Sequence, residues 1–240
     1  MTHIPSQRVV QAVPPGTDGA LAHYRLNGSL VNLGSAGSAN LTVGAGTEQY
    51  VPGPYPGTQA ALIDGATDLK TAGAVAALKL LGALTVDAMV YLFGTSDTSF
   101  FGLIQYRNTG ANADFAYLLE LQSGTPNQAF FSWADSPGSR QNVTSTEVLF
   151  PWGRWVHLAM TRPTAGTSGK FFIDGRKVFS ATGLLAPAMA DDIPNFRLAD
   201  GPPALLMADV RVFNSEKSEA AIEAIARASN PQAFLGQALS

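Results

Sequence analysis

Trp155-Val-His-Leu-Ala-Met-Thr-Arg162, a gap of eight residues, then Phe171-Phe-Ile-Asp-Gly-Arg-Lys-Val-Phe179 is the stretch on which the reading of the fold turns. In the first run Val156, Leu158 and Met160 alternate with Trp155, His157 and Ala159, the period of two expected of a strand with one buried face. In the second, Asp174-Gly175 separates two apolar runs, and both residues tolerate the positive φ angles of a type I′ hairpin turn. Three consecutive strands follow from this. The same residues pose the question of function, because His157, Arg162 and Arg176 are either a reactive centre or part of a scaffold.

Working outward, a strand is expected from Leu21, and further strands at 60–63, 84–92, 100–106, 115–121, 128–133, 195–198 and 205–213. Val86, Ala88, Val90 and Leu92 share one face, as do Val210 and Val212. Period two over so many segments, split by turn signals, predicts an all-β sandwich or barrel. The one helix expected is EAAIEAIARA, N-capped by Ser218, with Glu219 and Arg227 matching the helix dipole and Asn230-Pro231 ending it. Residues 27–57 are too rich in Gly, Ser, Asn and Pro for helix, and so long an irregular stretch is usually functional. Residues 1–19 read as an extended arm, 20–228 as the folded domain and 229–240 as a second tail.

The 240 residues fit one large β domain and carry no cysteine, which excludes thiolate metal sites and disulfides. Charged residues make up 14% and the net charge is −3, so no basic surface for nucleic acid is expected. No apolar run suits a membrane span and no signal peptide is visible at the start, so a soluble protein is expected.

The ordered set of motifs resembles the laminin-G-like, concanavalin A-like jelly roll. Ala22-His-Tyr-Arg-Leu-Asn-Gly28 stands for its opening strand and Asn32-Leu-Gly-Ser-Ala-Gly37 for the loop after it. Leu84-Thr-Val-Asp-Ala-Met89, Trp155-Val-His157-Leu-Ala, Phe172-Ile-Asp-Gly-Arg176 and Asp209 to Ile225 follow in order. The resemblance covers roughly 20–228 and implies a concanavalin A-like antiparallel β-sandwich with one short C-terminal helix. It makes His157 part of the fold signature. It also implies calcium-site positions at Asn32 and Asp209, although Asn32 stands where relatives carry Asp. The competing reading has Asn32 capping a turn and Asp209 paired with Arg211 or Arg25. Asp64 and Asp68 are further oxygen donors, and calcium needs six to eight oxygens.

For catalysis, no Gly-x-Ser-x-Gly elbow accompanies His157. No glutamate is followed two residues on by an aspartate, the pattern of glucan-cleaving relatives, although Glu120 and Asp114 could meet across strands. Sugar-binding jelly rolls stack rings on sugar C–H faces and hydrogen-bond hydroxyls. That makes Tyr106, Arg107, Asn108, Asn112, Asp114 and Trp133 the candidate glycan site, with core packing the alternative for the rings.

The expected function is a non-catalytic structural or decoration protein on a larger assembly, most plausibly a bacteriophage virion. It would be attached through its arms to capsid or other virion proteins and to copies of itself. No cofactor is expected beyond calcium, and neither nucleic acid nor membrane is an expected partner. An initiator Met without visible signal or linker, low charge and abundant small residues motivate this, and place the protein on the virion surface after synthesis in the host cytoplasm. The alternative is a stand-alone, extracellular lectin module binding cell-surface polysaccharide; a glycan hydrolase or lyase is third.

Overall fold

A computed structural model describes residues 19–64, 66–93, 100–108, 115–122, 128–136, 139–144, 152–188, 194–200 and 204–230. The arm at 1–18 and the tail at 231–240 lie outside the described residues. The strands in chain order are β1 (Ala22–Tyr24), β2 (Leu41–Ala45), β3 (Gln49–Pro52), β4 (Gln59–Ile63), β5 (Asp68–Thr71), β6 (Leu84–Leu92), β7 (Phe100–Asn108) and β8 (Phe115–Gln122). They continue with β9 (Gln128–Ser136), β10 (Ser139–Thr144), β11 (Trp155–Arg162), β12 (Ser168–Ile173), β13 (Arg176–Thr182), β14 (Pro194–Asp200) and β15 (Leu205–Phe213), and helix α1 (Glu219–Ser229) closes the chain.

Two antiparallel sheets stack face to face. The first runs β13-β12-β11-β6-β15-β4-β3, with β1 also on β15; the second runs β10-β9-β8-β7-β14-β5-β2. This is the β-sandwich read from the sequence. Alternation decides which side chains enter the core: Val86, Ala88 and Val90 with Val156, Leu158 and Met160 face Ile104, Leu119, Phe131 and Leu198 of the opposite sheet. Tyr24 stacks on Phe196 with ring centroids 5.5 Å apart, and its hydroxyl donates to the Ala39 carbonyl at 2.6 Å.

Among the described residues, one charged side chain enters the space between the sheets. Arg162 ends β11 on the inward face and is fully buried. Its guanidinium lies 5.2 Å from the Trp133 ring and donates to the carbonyls of Leu80 (2.6 Å), Ala116 (3.0 Å) and Gly82 (3.1 Å). It thus ties β8 and the 80–82 turn to the opposite sheet. Burial pushes its pKa down to about 10, which leaves it cationic at neutral pH.

The Asp174-Gly175 turn has φ of 46° and 77°, the two positive angles expected. An added Cβ at Gly175 would stand 2.9 Å from Glu223 Cα, so the turn packs directly under α1. Ser218 caps that helix through its hydroxyl, which accepts from Ala221 N–H at 3.2 Å, and Ile222 seats on Ala159 and Phe172. The helix runs through Ser229, the first residue of the expected tail.

Candidate functional site

Strand β15 shares one edge between two partners. β4 pairs with Leu205–Met207 and β1 with Val210–Val212, so Ala208 and Asp209 are left between them. A bulge against β6 falls at the same place, and Asp209 takes a φ of 47°, the left-handed region that costs a non-glycine residue of order 1–3 kcal/mol. The gap is bordered by the chain leaving β1 and the chain entering β4. Gln59 N–H donates to Asn27 Oδ1 at 2.7 Å, and Asp209 N–H to the Arg25 carbonyl at 3.3 Å. The turn before β4 is closed by Gly53 N–H on the Thr58 carbonyl and by the Thr58 hydroxyl on the Tyr55 carbonyl, which directs Tyr55 inward.

The result is a small, shallow pocket with Arg25, Asn27, Tyr55, Thr58, Gln59 and Asp209 among its lining residues. Tyr55 is 5% exposed, and its hydroxyl stands beside the Asp209 carboxylate and the Ser229 hydroxyl. Burial first, and the Asp209 carboxylate second, push the phenol pKa well above its ordinary value, so it remains a neutral O–H donor. Asp209 Oδ1 lies 3.3 Å from the buried His23 Nε2. A donor next to an acceptor, rimmed by two carboxamides and a guanidinium, is the complement of hydroxyl groups, which both donate and accept.

Asn32 and Asp209, the expected calcium positions, are linked through His23 rather than through an ion site. Asn32 Oδ1 accepts from His23 N–H (2.8 Å) and Gly34 N–H (2.9 Å), and its Nδ2 donates to the Leu21 carbonyl at 3.4 Å. That oxygen is already committed to two amides, so Asn32 is a clasp holding its loop on β1, and its assignment as a calcium ligand is corrected. Asp209 pairs with His23, not with an arginine. Asp64 caps its own turn through Thr67 (2.7 Å to the hydroxyl), and Asp68 binds Lys70 at 2.7 Å. Among the described residues no group of three or more His, Asp or Glu is placed to hold a metal ion.

His157 belongs to a second buried cluster, on the outer face of the first sheet. Asp87 Oδ1 receives Arg211 Nε at 2.8 Å and Nη2 at 2.6 Å, and lies 3.4 Å from His157 Nε2. All three side chains are shut from solvent, with Arg211 reaching on to the Ser229 hydroxyl at 3.2 Å. No substrate reaches this histidine, and its role is structural.

The aromatic half of the expected glycan site is corrected by burial. Tyr106 and Trp133 sit at 1% and 0% exposure inside the sandwich, with the Tyr106 hydroxyl on the Val75 carbonyl (3.1 Å) and Trp133 Nε1 on the Leu185 carbonyl (2.8 Å). Neither ring can offer a face to a sugar. Arg107 is half-buried in β7 and Asn108 ends that strand, whereas Asn112 and Asp114 lie outside the described residues. The outer face of the second sheet does carry a polar network: Arg140 pairs with Glu120, donates to Ser132 Oγ at 2.8 Å, and lies 5.6 Å from the Phe115 ring. Glu120, the carboxylate on which a hydrolase reading depends, is thus held in an ion pair.

Comparison with known proteins agrees with this architecture. The profile of the Concanavalin A-like lectin/glucanases superfamily matches residues 64–223, and the chain belongs to that superfamily. A search of the curated proteins finds no significant match. Among solved structures, the binding domain of Paraclostridial Mosquitocidal Protein 1 superposes with a TM-score of 0.68 at 11% identity, covering 88% of this chain and 52% of that one. Domain 4 of AbnA, a GH43 extracellular arabinanase from Geobacillus stearothermophilus, solved with arabinotriose, gives 0.58 at 21% identity, covering 86% and 98%. The binding domain of botulinum neurotoxin DC, solved with rat synaptotagmin II, gives 0.65 at 11% identity, covering 89% and 52%. The chain therefore spans about half the length of the toxin binding domains and nearly all of the arabinanase domain.

Proposed function

We propose that this protein is a non-catalytic glycan-binding module, and that the pocket between β1, β4 and β15 receives a hydroxyl group of a neutral glycan. The observation carrying this is the juxtaposition, at the pocket base, of the buried Tyr55 phenol with the Asp209 carboxylate. A hydroxyl entering there would receive the Tyr55 proton and donate to Asp209, while Asn27 and Gln59 meet its neighbours. The arabinanase domain solved with arabinotriose has this fold, which supports a saccharide ligand. The Glu120–Arg140 pair supports a role without hydrolysis.

A single shallow pocket binds weakly, and display in many copies would multiply its grip. In this reading the protein decorates a larger assembly, a phage virion surface, and is held there by the Pro-rich residues 1–19. Deleting residues 1–15 would abolish co-sedimentation with virion-sized particles and leave the melting temperature unchanged. Retained co-sedimentation overturns the display part alone.

The binding part is tested on an array of neutral and acidic glycans, followed by calorimetric titration of the best ligand. Tyr55→Phe keeps the ring and removes one hydrogen bond, worth about 1–2 kcal/mol or roughly tenfold in affinity. Unchanged affinity, or product release from any polymer, contradicts the proposal.

A further inference from the structure

The backbone of the pocket is fixed more firmly than the proton at its base. Pro54 and Pro56 bracket Tyr55, whose N–H donates to the Thr58 hydroxyl at 3.2 Å while that hydroxyl donates to the Tyr55 carbonyl at 2.8 Å. These contacts hold the residue in place. They leave the phenolic O–H free to turn about its bond to the ring, and its direction decides what the pocket offers a ligand.

The two ends of a polar row through Tyr55 settle that direction. At one end stands Arg211, whose guanidinium has donors only; its Nη2 donates to Ser229 Oγ at 3.2 Å. At the other stands the Asp209 carboxylate, which can only accept, with Oδ1 3.3 Å from His23 Nε2. The Tyr55 hydroxyl lies beside both Ser229 and Asp209. Ser229 accepts from Arg211 and so has its own O–H to give to the phenol oxygen, while Tyr55 has one proton to give to Asp209. The row therefore runs one way, from Arg211 through Ser229 and Tyr55 to Asp209. The influences on the phenol carry the matching signs. After burial, which dominates, Asp209 raises its pKa and Ser229 lowers it, as expected of one neighbour that accepts from the phenol and one that donates to it.

Ser229 reaches this row because Ile222, Ala226 and Ser229 share the buried face of α1 at helical spacing. Asn230 pins the helix end through Nδ2 on the Trp155 carbonyl at 3.1 Å, and Asp87 holds Arg211 at 2.6 Å.

We infer that Ser229, which does not line the pocket, is its positioning residue: it fixes the Tyr55 proton toward Asp209, so that the site selects a free hydroxyl over an ether oxygen. This rests on the hydroxyl-binding role proposed above. A hydroxyl inserted between Tyr55 and Asp209 lengthens the row by one step without reversing it, accepting from the phenol and donating to the carboxylate. An ether oxygen accepts equally well but turns a lone pair toward Asp209.

The test labels the tyrosine Cζ atoms of the full chain with carbon-13, whose shift follows hydrogen bonding at the phenol oxygen. Wild type, Ser229→Ala, Tyr55→Phe and the double variant are compared, first alone and then titrated with glycerol, the smallest polyol probe, and with its trimethyl ether. Affinity is read from the Gln59 and Asp209 amides. Of the six tyrosine signals, Tyr55 alone should move in free Ser229→Ala, the other five marking a retained fold. Glycerol affinity should fall about threefold to tenfold, the loss of one hydrogen bond. Adding Ser229→Ala to Tyr55→Phe should lower it no further, and the ether should bind no form. A Tyr55 signal unmoved by Ser229→Ala would overturn the inference, since the serine proton then goes to a helix carbonyl instead. So would losses that add in the double variant, or an ether that binds as tightly as glycerol. Glycerol that moves no pocket amide in the wild type, with the Tyr55 signal still answering to Ser229→Ala, would overturn the hydroxyl-binding role and the selectivity with it, and leave the row intact.

Discussion

Replacing Asp87 by Asn removes one charge from a place where nothing can screen the loss. Asp87 is fully buried, and its Oδ1 serves both Arg211 nitrogens and faces His157. The amide keeps the shape and leaves Arg211 as a buried cation without a counter-charge. Breaking such a pair from one side costs about 3–5 kcal/mol. In a domain of this size each kcal/mol moves the melting temperature by about 2–4 °C, so the midpoint should fall by roughly 6–20 °C. Calorimetry and urea titration would both read it. The acid limb supplies a second readout. Burial works to raise the Asp87 pKa, but Arg211 and then His157 outweigh it and hold the carboxyl below its ordinary value. A depressed folded pKa gives stability that is complete above the unfolded value of about 3.9 and is lost as pH falls through the folded one. The gap between the wild type and Asp87→Asn should therefore stay constant from neutral pH to about 5 and close in stronger acid. Asp87→Leu with Arg211→Met, which removes both charges, should recover most of the loss. A single variant within about 1 kcal/mol of wild type, or a double variant no better than the single, would refute this account of the cluster.

Three other substitutions test separate parts of the structure. Arg162→Lys should cost about 2–4 kcal/mol by urea denaturation, because one ammonium cannot serve three fixed carbonyls and stack on Trp133. Gly175→Ala should cost about 1–3 kcal/mol and speed proteolysis near α1, since the new methyl meets Glu223 at a backbone angle that strains alanine. Trp133→Phe should lower the melting temperature and leave glycan affinity unchanged, as calorimetric titration would show, because that ring belongs to the core.

Much of the sandwich is legible from period two alone. β6, β11 and β15 lie at the centre of the first sheet; β6 shows its inward face as an unbroken alternation of aliphatic residues, β11 does so as far as Arg162, and β15 does so on either side of its bulge at Asp209. The strands that escape notice are edge or short ones. β2 contains Gly44, β3 is the four residues Gln49–Pro52, and β10 reads Ser-Arg-Gln-Asn-Val-Thr, with one apolar position to mark its face. The burial of Tyr106 and Trp133 follows from parity, since each sits two residues from a core neighbour, Ile104 and Phe131. A sugar platform would need the outer face of the second sheet, whereas parity puts both rings on the inner one. Most of the pocket is harder to read, because Asn27, Tyr55, Thr58 and Gln59 meet only after β1 and β4 dock on one edge of β15. The length and composition of residues 27–57 were the available signal. Arg162 gives none, since inward and outward arginines at a strand end look alike in sequence.

The central claim is that a glycan docks at the Tyr55–Asp209 pocket. Mapping amide and side-chain chemical-shift changes across the whole chain, at saturation with the best array ligand and again with chelator present, tests it most directly. The account predicts that the largest changes fall on Arg25, Asn27, Tyr55, Gln59 and Asp209 and are unaffected by chelator. Changes centred on Arg107, Glu120 and Arg140 of the second sheet, or lost on chelation, would contradict it.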